Sequence, residues 1–340
     1  MIQFQVFHNL SKPYNVVVPS EFEIIRQYFS QASPTSVLGV GDDAAIVAVS
    51  PGKELVVSTD TLVSGQHFFE DTDPYKLGHK SLAVNLSDMA AMGATPRWAT
   101  LALTLPKLLI KENTQWLGLF AKGFYSLAQE HQVELIGGDT TCGPLNICVQ
   151  IMGEIDQGKA MLRGHAQPND DIWVSGYLGD AALALAHEQQ RLVLQPDELV
   201  LCLSALLTPT PRIELGQQLI KFAHSAIDIS DGLLADLGHI LDCSDVGAMV
   251  QIDPMACSAV LKKYLPQGHA INCWLAGGDD YELCFTVPPI NRGDIERLSI
   301  ELSIPLTCIG KITAVKGLTV HGMDGSVLTQ EKKGYDHFNS

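Results

Sequence analysis

Aspartates set beside glycine and serine recur along this chain. They stand in Gly41-Asp42-Asp43, in Leu86-Ser87-Asp88, in Gly137-Gly138-Asp139, in Asp228-Ile229-Ser230-Asp231-Gly232, and in a second Gly-Gly-Asp string at Gly277-Gly278-Asp279. Carboxylates on backbone suited to tight turns are hard oxygen donors, the kind magnesium and calcium take. Several such groups in one protein suggest a site that manages phosphate oxygens through divalent cations. The P-loop pattern G-x-x-x-x-G-K-[ST] is absent, so a lysine-centred cradle of that type is excluded and phosphate is expected to be held through metal.

Other templates fail on their context. Residues 39–44 fit the dinucleotide pattern G-x-G-x-x-A, but that motif must leave a strand and open a helix, and a β-rich hairpin is expected after this one. The EF-hand loop needs an oxygen ligand at every second position, and Asp231 is out of phase with Asp228. His67 and the other histidines show neither an HExxH pattern nor paired Cys/His spacing, which argues against zinc.

Each acid also has a plainer explanation. Asp42 and Asp43 read as oxygen ligands or as turn residues. Asn85 and Asp88, three apart, share one face of an Ala-rich helix, where an unpaired buried acid is costly and a solvated face is the alternative. Asp228 should end a strand and Asp231 begin a helix, with Leu233, Leu234, Leu237, Ile240 and Leu241 as its apolar stripe. Ser230 or Asp231 could serve only as an N-cap there, which leaves Asp228 unexplained. Arg163 reads equally as a phosphate contact or a solvated linker residue, and Tyr335 as a core aromatic or a stacking surface.

These residues need a scaffold of ordinary size. The 340 residues suit two domains, and 46% apolar content describes a folded chain. A net charge of -16 without a visible basic patch argues against nucleic acid, and no apolar run is long enough for a membrane anchor. The eight cysteines form no CxxC pair and read as reduced thiols of a cytoplasmic protein. Residues 1–20 are expected to form a loose N-terminal arm.

From residue 36 the pattern predicts an acidic turn, a hairpin-like strand pair over 44–49 and 54–59, and a helix over 74–92 ended by Gly93 and Pro96. A strand at 98–103, a helix over 111–132, a short strand at 134–136, a turn at 137–141 and a strand at 146–154 follow. The turn-rich stretch 156–170 marks the domain boundary, placing one α/β domain at 21–157 and a second at 158–340. The strings 83–88 and 226–231 are alike, and each precedes a Gly-Gly-Asp, with 51 residues from Asp88 to Asp139 and 48 from Asp231 to Asp279. Coincidence and an old duplication both remain open, and duplication predicts that the equivalent acids face one another.

Taken in order, GVGDDAAIV, STDTLVSGQHF, KSLAVNLSDMAAMGATP, LIGGDTTCGPL, AIDISDGLLADLGHI, GGDDYELCFTV and the late KGYDHF resemble the thiamine-monophosphate kinase family. That family sits in the superfamily of aminoimidazole ribonucleotide synthetase and selenophosphate synthetase. The resemblance runs from about residue 21 to 338 and leaves out roughly the first sixteen residues. It implies a two-domain α/β fold, an N-terminal sheet that pairs with that of a second subunit, and ATP-dependent phosphorylation of thiamine monophosphate to thiamine diphosphate. It places several magnesium ions on Asp43, Asp60, Asp88, Asp139, Asp228 and Asp231, with Ser58 and Thr59 nearby. Nucleotide contacts fall on Gly138, Asp139, Arg163 and Ser230, and thiamine phosphate contacts on His67, Asp279 and Tyr335. Where the family usually reads GGEDYEL, this chain has the shorter Asp279.

A phosphate monoester has a second pKa of about 6, so the acceptor is already largely dianionic at neutral pH and needs no general base. Clustered carboxylates raise one another's pKa, so the strings at 41–43 and 137–141 are expected to order weakly without metal. A cyclising synthetase of the same superfamily and a non-catalytic metal- or nucleotide-binding module are the competing readings. Selenophosphate synthetase is disfavoured, because no cysteine precedes Cys142.

Overall fold

The computed structural model describes residues 19–31, 34–113, 115–328 and 334–335. Most of the expected N-terminal arm and part of the late KGYDHF string therefore lie outside the described residues. A short helix α1 (Glu21–Ile24), capped by Ser20, runs into a π-helical turn at Ile25–Phe29. The first sheet follows, with β1 (Lys53–Val63), β2 (Thr95–Leu105), β3 (Glu134–Cys142) and β4 (Asn146–Asp156) in the order β1-β4-β2-β3. Only β2 and β3 run parallel; the other pairs are antiparallel. Its helices are α2 (Pro74–Met92), α3 (Lys107–Glu112) and α4 (Trp116–Glu130).

The second sheet holds β5 (Asp171–Ser175), β6 (Ser225–Asp228), β7 (Gly247–Gln251), β8 (Leu283–Val287), β9 (Leu306–Thr313), β10 (Gly317–His321) and β11 (Val327–Leu328). Their order is β11-β10-β7-β9-β5-β8-β6. Around it lie α5 (Asp180–Glu188), α6 (Pro196–Leu207), α7 (Ile213–Leu219), α8 (Leu233–Ser244), α9 (Ala259–Tyr264), α10 (His269–Ala276) and α11 (Arg292–Leu302). Both halves are mixed α/β, as their patterns predict.

Helix α2 is the element that matters most for the site. Asp73 caps it by accepting from the Lys76 amide, Pro74 fills its first turn, and Gly93 ends it with a left-handed φ of 72°. Its boundaries are those the sequence predicts. It is buried almost all round, packed on β1, β4, α4, α7 and β6, so it lies in the seam between the two halves. Its neighbours approach backbone to backbone: a Cβ at Gly78 would overlap the Phe120 carbonyl, one at Gly123 the Tyr75 carbonyl, and one at Gly216 the Ala90 carbonyl. The core also crosses the seam, because Leu82, Leu86 and Met89 belong to one apolar cluster with Ile213, Leu215, Leu219 and Phe285. Each such fully buried side chain contributes about 1.5–3 kcal/mol.

Three expectations need correction, and one open alternative narrows. Residues 44–49 form no strand; the chain there makes only an isolated bridge between Leu38 and Ile46. The helix expected over 111–132 is two helices, α3 and α4. The turn expected at 137–141 is part of β3, paired with β2 through a bulge at Ile136, so it is ordered by its ladder. Gly138 adopts φ 152° there, and a Cβ on it would overlap the Leu101 carbonyl, so the glycines serve close strand approach rather than a turn. Finally, 83–88 lies wholly inside α2 whereas 226–231 leaves β6 into a loop, and 137–139 is strand whereas 277–279 is loop. The two copies have unlike backbones, which favours coincidence over duplication.

Candidate active site

Alternation along β1 turns Ser58 and Asp60 toward α2 and leaves the Thr59 side chain on the exposed outer face. Across from them, Asp88 projects from the last turns of α2 and accepts a short hydrogen bond from the Ser58 hydroxyl. Asp228 closes the group from the end of β6, nearly fully buried.

The three acids are electrostatically one unit. Burial, reinforced by the charges of Asp88 and Asp228, raises Asp60 to about 7. Burial and the charge of Asp88 raise Asp228 to about 7, opposed by Arg163. Asp88 is raised by burial too, while the Ser58 hydroxyl, Arg163 and a hydrogen bond with Asp60 pull it back. Asp60 and Asp88 are also hydrogen-bonded to each other, so they titrate as a pair. The open alternative is thereby decided for Asp88, which is not on a solvated face, while the exposed Arg163 lies close enough for its charge to act on Asp88 and Asp228.

The loop after β6 is organised by a residue that sequence reasoning missed. Asp236, in the first turn of α8, accepts from the amides of Ser230, Asp231 and Gly232 through one oxygen, at 3.0, 3.1 and 3.1 Å. Gly232, not Ser230 or Asp231, is the N-cap, and it makes no side-chain cap. The expected apolar stripe of α8 is buried in full. Two further strands of chain dock on this loop: the Asp279 amide donates to the Ser230 carbonyl at 2.9 Å, and the Tyr335 amide to the Asp231 carbonyl at 3.0 Å. The Tyr335 side chain is 41% exposed, so it is not a core aromatic.

Asp279 faces a buried cation. Lys80 of α2, 2% exposed, places its ammonium 2.7 Å from Asp279 Oδ1, and the Tyr281 hydroxyl lies 3.2 Å from the same oxygen. Burial first, then the charges of Asp279, Asp60 and Asp228, hold the Tyr281 phenol protonated far above its usual range. Lys80 and Tyr281 were not legible as site residues, although a lysine amid the apolar residues of α2 is itself a signal. The site is therefore not purely acidic, as the missing P-loop lysine suggested.

The other expected residues lie elsewhere. Asp42, Asp43, Gly138 and Asp139 line a cavity of about 770 Å³ together with Phe22, Arg26, Thr100 and Leu101. All three of these acids are exposed. His67 follows β1, half-buried, with its Nδ1 accepting the Val63 amide at 3.0 Å, so its neutral form carries the proton on Nε2.

Divalent cations fit the seam. The donors are all oxygen, and Asn85, one turn before Asp88, buries a side-chain carbonyl that no described residue satisfies. Among the described residues no three acids converge closely enough to chelate an ion by themselves. Magnesium, which keeps water and takes substrate phosphate oxygens as ligands, suits such an incomplete shell.

Residues 41–155 match the family described as AIR synthase related protein, N-terminal domain, so the first half of the chain has the fold of that domain. The chain is 45% identical over 323 residues to the thiamine-monophosphate kinase of Salmonella typhimurium, covering 94% of this chain and 98% of that one. Among solved structures, the thiamine-monophosphate kinase from Stenotrophomonas maltophilia superposes with a TM-score of 0.79 at 48% identity, covering 87% of this chain and 93% of the other. AaThiL complexed with AMPPCP and TMP superposes with a TM-score of 0.74 at 30% identity, over 86% and 89%. The chain belongs to the thiamine-monophosphate kinase family.

Proposed function

We propose that this chain transfers the terminal phosphate of ATP directly to thiamine monophosphate, giving thiamine diphosphate and ADP. The observation that carries this reading is the buried convergence of Asp60, Asp88 and Asp228 beside Arg163, adjoining the wall of Asp279, Lys80 and Tyr281. Family membership over nearly the whole chain supplies the substrates.

Asp60, Asp88 and Asp228 would hold magnesium, with Ser58 orienting Asp88 and Asp231 beside them. When bound, the ions screen repulsion between the two phosphate groups and align them for in-line transfer. Arg163 adds a guanidinium for a nucleotide phosphate, and the loop of Ser230 presents its backbone beside it. Asp43, Gly138 and Asp139 serve nucleotide and metal from the neighbouring cavity. Thr59, whose side chain points away, would act only through its backbone. His67, Asp279 and Tyr335 form the thiamine side. No side chain has to remove a proton, because the acceptor is already an anion.

The domain division at 21–157 and 158–340 belongs to this reading; the two sheets fall on either side of it. So does a homodimer through the outer face of the first sheet, where Leu55 and Val57 of β1 are 41% and 48% exposed. Eight free cysteines support a reducing, cytoplasmic setting, and no helix among the described residues is long and apolar enough to cross a membrane. Incubation with magnesium, ATP and thiamine monophosphate tests the reaction. Thiamine diphosphate and ADP in equal amounts are expected; metal-dependent ATP binding with no product would leave only a binding module.

A further inference from the structure

Lys80 and Tyr281 address the same oxygen of Asp279. The ammonium and the phenol both converge on Oδ1, whereas no described residue bonds Oδ2, and the Asp279 side chain keeps 28% exposure. The carboxylate is held in an uncommon pose. Asp279 has a left-handed φ of 68° and donates its amide to Ser230; Tyr281 has φ 49° and donates its amide to Ile229. Non-glycine residues keep such backbone only where their surroundings over-determine it, and such places cluster at ligand contacts.

The lysine is hard to explain by stability. A buried ammonium bound to one carboxylate oxygen is no better for folding than an apolar residue of similar volume, and Lys80 is the one charged side chain among the buried residues of α2. Its effect is on Asp279. Pairing with a cation leaves the acid as a directional acceptor with little net charge, so it can sit near a dianionic phosphate without repelling it. The remaining oxygen can only accept. Apart from its phosphate, thiamine monophosphate offers one hydrogen-bond donor, the amine on its pyrimidine ring.

We propose that Lys80 and Tyr281 are positioning residues that clamp Oδ1 of Asp279 and so present Oδ2 to the ring amine of thiamine monophosphate. This rests on the substrate reading above and adds the group that is recognised and the residues that set the recognition.

The test measures initial rates of the full-length protein with magnesium, ATP and thiamine monophosphate. Lys80→Met should raise the KM for thiamine monophosphate about 10- to 50-fold and leave the KM for ATP within about 2-fold, the scale of losing an oriented polar contact. Lys80→Arg should restore most of the loss. Tyr281→Phe, which removes one hydroxyl and keeps the ring, should raise the same KM about 3-fold. A substrate analogue with the ring amine replaced by a carbonyl oxygen should be rejected by wild type, and Asp279→Asn, whose amide can donate, should narrow that rejection.

Equal rises in both KM values for Lys80→Met would overturn the proposal and make the lysine a phosphate ligand or a general structural support. Unchanged discrimination against the analogue in Asp279→Asn would overturn it as well. If Lys80→Met does not fold, Tyr281→Phe decides alone, and an unchanged KM for thiamine monophosphate counts against the clamp. Failure of wild type to form thiamine diphosphate would instead defeat the substrate reading itself.

Discussion

Asp60, Asp88 and Asp228 reach the seam from a strand, a helix and a second strand, each raised by its withdrawal from water and the charge of Asp88 adding to the rise in the other two. Asp42, Asp43 and Asp139 have the same chemistry and similar glycine-rich surroundings, yet they stand exposed around the cavity beside β3. The difference is one of cost. Holding three acids together in a buried place works against folding and makes sense only where a cation later offsets it. Exposed acids carry little of that cost, so a ligand role there leaves no energetic mark on the empty protein.

Asp228→Asn should give the largest effect, lowering kcat/KM on the order of a thousand-fold, about 4 kcal/mol of transition-state stabilisation. Asp43→Asn should lose only about 10-fold by the same reasoning. Equal losses in steady-state assays would erase the distinction between seam and rim. Next, Asp88→Asn should keep the fold and lose turnover most at limiting magnesium, with excess magnesium recovering part of it. Near wild-type rates at limiting magnesium would remove Asp88 from the metal shell.

The seam also predicts a pH signature. Burial pushes Asp60, Asp228 and Asp236 up to about 7, well above the usual aspartate value of about 4, so the folded protein holds more protons than the unfolded chain between those values. Their contribution to stability is full below about pH 4 and is lost as pH rises through about 7. Without divalent metal, Tm should fall between pH 5 and pH 8, and magnesium should reduce the fall. A flat profile in chelator, measured by calorimetry, would deny the coupling.

Smaller effects should follow at the supports. Asp236→Ala strips the acceptor from three amides and should cost about 2 kcal/mol of stability, with faster amide exchange at 230–232 as the readout. Tyr335→Ala should raise the KM for thiamine monophosphate about 5-fold and the ATP requirement less. A loss of Tm with unchanged KM values would make Tyr335 purely structural.

Much of this was legible in the sequence, and the limits have physical causes. Helix α2 could be bounded because Asp73, Pro74 and Gly93 are local signals that act within a turn. Asp88 and Asp228 stood out because an acid among apolar residues asks for a partner. The string at 137–139 misled, because glycine permits a turn and a close strand approach alike, and only the position of Leu101 against Gly138 chooses between them. Lys80 and Asp279 are 199 residues apart, so no local pattern could pair them. Asp236 escaped for a related reason: its role is to bind amides, which carry no sequence identity.

Helix α2 bears Lys80 and Asp88 eight residues apart, about 12 Å along the axis at 1.5 Å per residue. Its contacts with α4 and α7 come backbone to backbone at Gly78, Gly123 and Gly216, which limits how far it could tilt. The helix thereby works as a ruler. On the proposed function, the span from the clamp at Lys80 to the acids around Asp88 is set by helical pitch, so a substrate would be gauged by its length as well as by its groups.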